Sequence, residues 1–113
     1  MTTITDEYMY EMLPRSREYS IVLLKPGPKT DQPDLQQIIW EHGRRNFALR
    51  AEGVLSIVCP VTEETGLSGL CIFNAGPEES NKYMEEDPAV QAGIFVFEIH
   101  PCRGFPGDNL PEK

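Results

Sequence analysis

The sequence predicts an α+β domain of the split βαβ, ferredoxin-like type: one antiparallel sheet with two helices on one face. Three observations predict it. The elements run strand, helix, strand, strand, helix, strand, and the polar loop Val61 to Leu67 between the middle strands is short enough for a hairpin. At 113 residues the chain is long enough for one core and too short for a second.

Residues 1–18 mix charge with Tyr8, Met9, Tyr10, Met12 and Leu13 without a sustained period, and read as an N-terminal arm to a domain over 19–102. Tyr19 to Leu24 is rich in β-formers and is closed by Lys25-Pro26-Gly27-Pro28, where two prolines end pairing. From Asp34 to Glu52 the pattern turns helical, with Asp34 at the N-cap and Gly53 at the position that favours a left-handed residue. Val54 to Pro60 and Ser68 to Asn74 are the hairpin strands. Glu78 to Glu86 is a second helix, opened by two acids that suit the positive end of its dipole. Asp87 caps a further turn that starts at Pro88 and stops at Gly93, where a second positive φ is expected. Ile94 to His100 is the last strand, and from Cys102 the chain runs into an irregular tail, 103–113, punctuated by Pro106, Gly107 and Pro111.

On the first helix, Leu35, Ile38, Ile39, His42, Asn46 and Leu49 gather on one face with His42 near its middle, while Trp40, Phe47 and Ala51 form a second stripe. Two apolar faces imply a contact beyond the sheet, with the arm, the tail or another subunit. The strands are also apolar on both sides: Phe95, Phe97 and Ile99 alternate with Ile94 and Val96, and Leu55 and Ile57 with Val54 and Val58. A bare face this apolar would be a large exposed patch, so a homodimer through the face opposite the helices is expected.

Charge narrows the partners. A net charge of -8 and no basic stripe argue against nucleic acid, whose affinity comes from phosphate neutralisation. No apolar run reaches membrane-spanning length, and the start lacks a basic end followed by an apolar stretch, so a cytoplasmic protein with no membrane partner is expected. Cys59, Cys71 and Cys102 are odd in number and form no Cys-x-x-Cys pair, which suits small buried side chains in a reducing compartment.

The smallest constellation capable of acid/base chemistry is His42, on the apolar helix face, with Asp87, fixed at the turn before the last strand. A carboxylate bound to one imidazole nitrogen would set the tautomer and keep the other nitrogen for a substrate proton. The bland alternative is a satisfied core histidine and a turn cap. Lys25, Ser56 and His100 are the candidate substrate-binding residues: Lys25 to hold an anionic group at the pocket mouth, with a solvated strand-end lysine as the plainer reading, and His100 at the end of the last strand, where it reads first as a rim polar group or dimer contact. Spacing alone does not bring His42, His100 and Asp87 together, so no metal is expected. Nor is a cofactor, since no glycine-rich loop precedes a helix as a dinucleotide or P-loop site needs; no serine sits in a nucleophile elbow, which argues against serine catalysis.

Ile21-Val22-Leu23-Leu24-Lys25-Pro26-Gly27-Pro28, His42 eleven residues before Gly53, Gly53-Val54-Leu55 leading to Pro60, and Asp87-Pro88-Ala89-Val90-Gln91-Ala92-Gly93 leading to Glu98-Ile99-His100-Pro101 occur in an order that resembles the YciI-like (YCII-related) family. The resemblance covers about residues 19–102. Cys59 stands where that family usually has glycine, and Cys102 where it usually has tryptophan. The resemblance implies a ferredoxin-like unit that pairs into a dimeric α+β barrel. It also implies a histidine and aspartate catalytic pair, carried here by His42 and Asp87. The expected activity is that of a small cofactor-independent lyase or isomerase acting on a small organic acid or ring compound; the alternative is a non-catalytic dimeric module that binds a ligand or protein in the same cleft.

Overall fold

In the computed structural model, which describes residues 1–112, the strands are β1 (Arg17–Pro26), β2 (Leu55–Pro60), β3 (Gly69–Phe73) and β4 (Phe95–Gly104). The helices are α1 (Asp6–Met12), α2 (Leu35–Ala51), α3 (Pro77–Glu85) and the single turn α4 (Pro88–Gln91). The sheet order is β2-β3-β1-β4 with every neighbouring pair antiparallel, the ferredoxin-like arrangement expected from the element order. Lys113, the last residue of the expected tail, lies outside the described residues.

The period of two in β1 sets the core. Ser20, Val22 and Leu24 are buried against the helices, whereas Ile21 and Leu23 on the other face are only half-buried. Val22, Leu24, Leu55, Cys71 and Phe73 from the sheet meet Leu49 of α2 and Met84 of α3 in one cluster. Ser20 is tolerated inside because its hydroxyl donates to the Ala75 carbonyl at 2.8 Å.

Three features depart from expectation. The hairpin carries a β-bulge: Leu55 pairs with Phe73 but Ile57 with Ile72, leaving Ser56 as the extra residue. The expected alternation is therefore broken, with Leu55 and Val58 on the core face and Ile57 on the open one. The last strand runs through Pro101 to Gly104, so the tail starts later than its proline suggests. β4 is an edge strand, where a missing ladder donor is cheap. The N-terminal arm holds α1, capped by Thr5, whose hydroxyl oxygen accepts from the Tyr8 N–H at 3.1 Å. None of its residues is buried, and a radius of gyration of 16.5 Å exceeds the roughly 13 Å of a compact domain this size.

α2 follows its expected bounds, although Asp34 occupies the N-cap position without a side-chain cap bond. Its only buried residue is Leu49. Trp40 and Phe47 are 66% and 63% exposed, and the stripe around His42 borders a cavity rather than solid core. Gly53 (φ 78°) and Gly93 (φ 77°) both adopt the expected left-handed conformation at helix-to-strand turns. The loop after β1 is stitched to the Gly93 turn by Gly27 N–H to the Ile94 carbonyl and Lys29 N–H to the Gly93 carbonyl, at 2.7 and 3.0 Å. A Cβ on Gly27 would collide with the Gly93 carbonyl oxygen, so this close approach requires glycine.

Candidate functional site

Asp87 is placed by its own capping chemistry. Pro88 starts α4 with the φ a first helical residue needs, and the Asp87 carboxylate accepts the N–H groups of Ala89 and Val90 at 3.0 and 3.2 Å. Those bonds hold one side of a carboxylate that is only 1% exposed. His42, midway along α2, presents Nδ1 to the rest of it, 2.8 Å from Oδ1 and 2.9 Å from Oδ2. Arg45, one turn on from His42, brings Nη1 to 3.8 Å from Oδ1 and Nη2 to 3.7 Å from Glu86. The expected dyad therefore meets within hydrogen-bond distance.

The pairing fixes which imidazole nitrogen is available. An ionised carboxylate can only accept, so the network assigns the proton of neutral His42 to Nδ1 and leaves Nε2 as an acceptor. Asn46, four residues along α2, places Nδ2 at 3.3 Å from Nε2 as the donor. The Phe95 ring lies 5.2 Å from the imidazole, tilted by 53°, and limits its swing. His42, Asn46 and Phe95 all line a cavity of about 710 Å³ between α2 and the β2–β3 side of the sheet. The side chain of His42 keeps 13% exposure, so the imidazole is sheltered without being sealed.

Ser56, the bulge residue, also lines this cavity. Lys25 and His100 do not join it. Both project from the open face of the sheet, in register with Val96 and Ile21, where Lys25 Nζ lies 2.9 Å and His100 Nε2 3.7 Å from the Glu98 carboxylate. Lys25, and then His100, hold the Glu98 carboxyl below the usual carboxylate range. This face is opposite the one that carries His42 and Asp87, so the two histidines do not converge on a metal position.

The cavity has walls that spacing did not assign. Gly43 borders it with nothing within 4 Å of where a Cβ would stand, which leaves room beside the imidazole. Arg50 extends the row His42, Asn46, Arg50 along α2, and the i, i+4, i+8 spacing was the available signal. Asp108 and Leu110 bring the tail to the same wall, which no local pattern announced. Cys59 and Cys71 line it too, and all three cysteines are free. Burial, then charge at Cys59 and Asp87, pushes the Cys71 thiol up to about 11, so it stays protonated near neutrality and is a poor nucleophile.

No family model matches the chain, and no curated protein matches it. Solved structures do. One is the 5-chloro-2-hydroxyhydroquinone dehydrochlorinase of Burkholderia phenoliruptrix AC1100, in complex with 2,5-dihydroxybenzoquinone. It is similar over 73% of this chain and 90% of its own, at 18% identity and a TM-score of 0.51. At that identity the likeness is one of fold: the small α+β unit found here is also the scaffold of an enzyme that holds a planar ring compound.

Proposed function

We propose that this chain is a small cofactor-independent enzyme of the lyase or isomerase type, in which His42 moves a proton on a small organic acid or ring compound and Asp87 orients it. The observation that carries this reading is the contact of His42 Nδ1 with both oxygens of a buried carboxylate, beside a cavity that the imidazole also lines. A core histidine needs no such access.

The residues suggest a sequence of events. Nε2, freed from the weak Asn46 contact by an incoming ligand, takes a proton from an acidic C–H or O–H. The imidazolium formed is stabilised by the Asp87 carboxylate at 2.8 Å. The proton is then returned to a different atom of the ligand, completing an isomerisation, or is released as a leaving group departs, completing an elimination. Carboxylate-oriented imidazoles of this kind contribute roughly 10²–10⁴-fold to rate. The structural likeness to a dehydrochlorinase supports the elimination branch.

In this reading residues 19–102 form a YciI-like unit, residues 1–18 an arm, and two units pair through their open sheet faces into an α+β barrel. The three free thiols suit a cytoplasmic enzyme.

Hydrogen exchange tests the chemistry without knowledge of the product. The wild type and His42→Asn would be incubated in D2O with hydroxylated and halogenated hydroquinones and unsaturated lactones, and ligand C–H signals followed by NMR. The wild type should catalyse exchange or elimination on at least one compound, and His42→Asn should not. Equal rates with folded His42→Asn would remove His42 as the acid/base and put the ligand-binding module ahead.

A further inference from the structure

We propose that Arg50 is the anion-binding residue of the cavity, and that the ligand taken there is a small planar organic anion, a carboxylate or phenolate. The inference deepens the acid/base reading and rests on it only for the fate of the proton. His42, Asn46 and Arg50 stand four residues apart on α2, and all three line the cavity. Each four-residue step advances about 6 Å along a helix, and helical side chains lean toward the N-terminus. A long arginine at the end of this row can therefore hold one end of a ring-sized ligand while Nε2 of His42 meets the other.

Arg50 is also uncommitted. Arg15, Lys25, Arg44 and Arg45 each have a carboxylate within 4.0 Å, and Arg17 and Arg103 donate to groups at Arg15 and Ser16. Among the described residues no acid lies within that distance of Arg50. In a chain of 18 acids and 10 Lys and Arg, an arginine without a carboxylate partner at a cavity wall is a cation left for something else. Its planar fork suits a carboxylate, which it can grip through two parallel bonds.

The rest of the wall fits the body of such a ligand. Leu24, Ile39, Phe47 and Phe95 supply apolar and aromatic surface for a ring, and Ser56 an uncharged hydrogen-bonding group. Asp108, on the tail, is the acidic side chain that also lines the cavity, and it opposes an anion there. Lys25, the residue expected to bind an anion, is held by Glu98 across the sheet, which leaves this role to Arg50.

Binding of 2,5-dihydroxybenzoate and of its uncharged counterpart hydroquinone, followed anaerobically by NMR titration, tests the assignment. The wild type should bind the anion at least about tenfold more tightly than hydroquinone, with an advantage that shrinks as salt is raised. Arg50→Gln should lose about that factor for the anion and leave hydroquinone unchanged, because Arg50 is exposed and holds no structural partner. Arg50→Lys should restore part of the loss, and Asp108→Asn should tighten the anion. Equal anion affinity in the wild type and Arg50→Gln overturns the proposal, as does failure of the wild type to bind dihydroxybenzoate or a preference for hydroquinone. The acid/base reading fails separately, through His42→Asn that still exchanges protons.

Discussion

Arg45 Nη1 lies 3.8 Å from Asp87 Oδ1, the same oxygen that His42 Nδ1 approaches at 2.8 Å. Asp87 thus answers to an imidazole, a guanidinium and two backbone N–H groups at once, and it joins α2 to α4 as well as orienting the imidazole. The two roles separate by mutation. Asp87→Asn keeps the shape but loses the ionised acceptor, and should destabilise the fold by about 2–3 kcal/mol, in the range for hydrogen bonds to charged groups. His42→Asn should cost less, about 1 kcal/mol, because the carboxylate keeps Arg45 and its N–H donors. Urea midpoints check the order. Nitrogen-15 imidazole shifts should further show Nδ1 protonated in the wild type and mixed tautomers in Asp87→Asn.

Cys71 should govern an alkaline limb of stability. Its thiol is raised to about 11 in the fold from an ordinary value of 9.0, so between those values the native state binds more protons than the unfolded one. The contribution is full below about pH 9 and falls as pH rises through the native value. Cys71→Ala or Cys71→Ser should flatten that limb in urea melts taken from pH 8 to 11. At pH 8 an aromatic disulfide reagent should label Cys59 and Cys102, which are half-buried, ahead of the buried Cys71.

Glycine replacements should rank by what each new Cβ meets. At Gly53 it meets nothing, so Gly53→Ala carries only the left-handed strain of about 1 kcal/mol. At Gly93 the same strain is joined by the Lys29 methylenes at 3.0 to 3.3 Å, which can move, and the cost should be slightly larger. Gly27→Ala should be the most damaging of the three, because its obstacle is the Gly93 backbone. Thermal melts of the three variants give the order directly.

Ser80 offers a change in the opposite direction. It is fully buried in α3, and its hydroxyl has no partner among the described residues. Ser80→Ala removes an uncompensated polar atom and should be neutral or stabilising by up to about 1 kcal/mol. A fall in melting temperature would mean that the hydroxyl is satisfied by water in solution.

What was readable in the sequence follows from how local each signal is. Gly53 and Gly93 mark their turns because only glycine adopts that φ cheaply, and Asp87-Pro88 is a cap signature complete within two residues. The bulge at Ser56 has no such signature. It is set by pairing with β3, and one extra residue reverses the faces of everything after it. Pro101 looked like a strand end because its edge position, which makes it harmless, is a property of the sheet. The His42 face read as apolar core because periodicity reports which residues share a side, not whether that side meets packed atoms or a cavity. Arg50 and Gly43 were hidden for the same reason and Asp108 because it lies on the irregular tail, while Lys25, expected at the pocket mouth, projects from the open face of the sheet.

The open sheet face should pair two copies of the chain. Ile21, Leu23, Leu70 and Ile72 lie half-buried on it, with Val96 45% exposed near its rim. Covering such a face removes several hundred Å² of apolar surface per subunit, and at roughly 25 cal/mol per Å² that is enough to make a lone monomer unfavourable. Lys25, Glu98 and His100 stand on the same face as a polar cluster that fixes register rather than affinity. Glu98 is held below the usual carboxylate range, so its pairing is present above the ordinary carboxylate value and is lost as pH falls through the depressed one. Light scattering should give a dimer near neutral pH. Ile72→Asp should yield a folded monomer, since a carboxylate at the centre of the face must lose its water on pairing. A wild type that is monomeric at micromolar concentration, or an Ile72→Asp variant that dimerises as well as the wild type, would exclude this face as the interface.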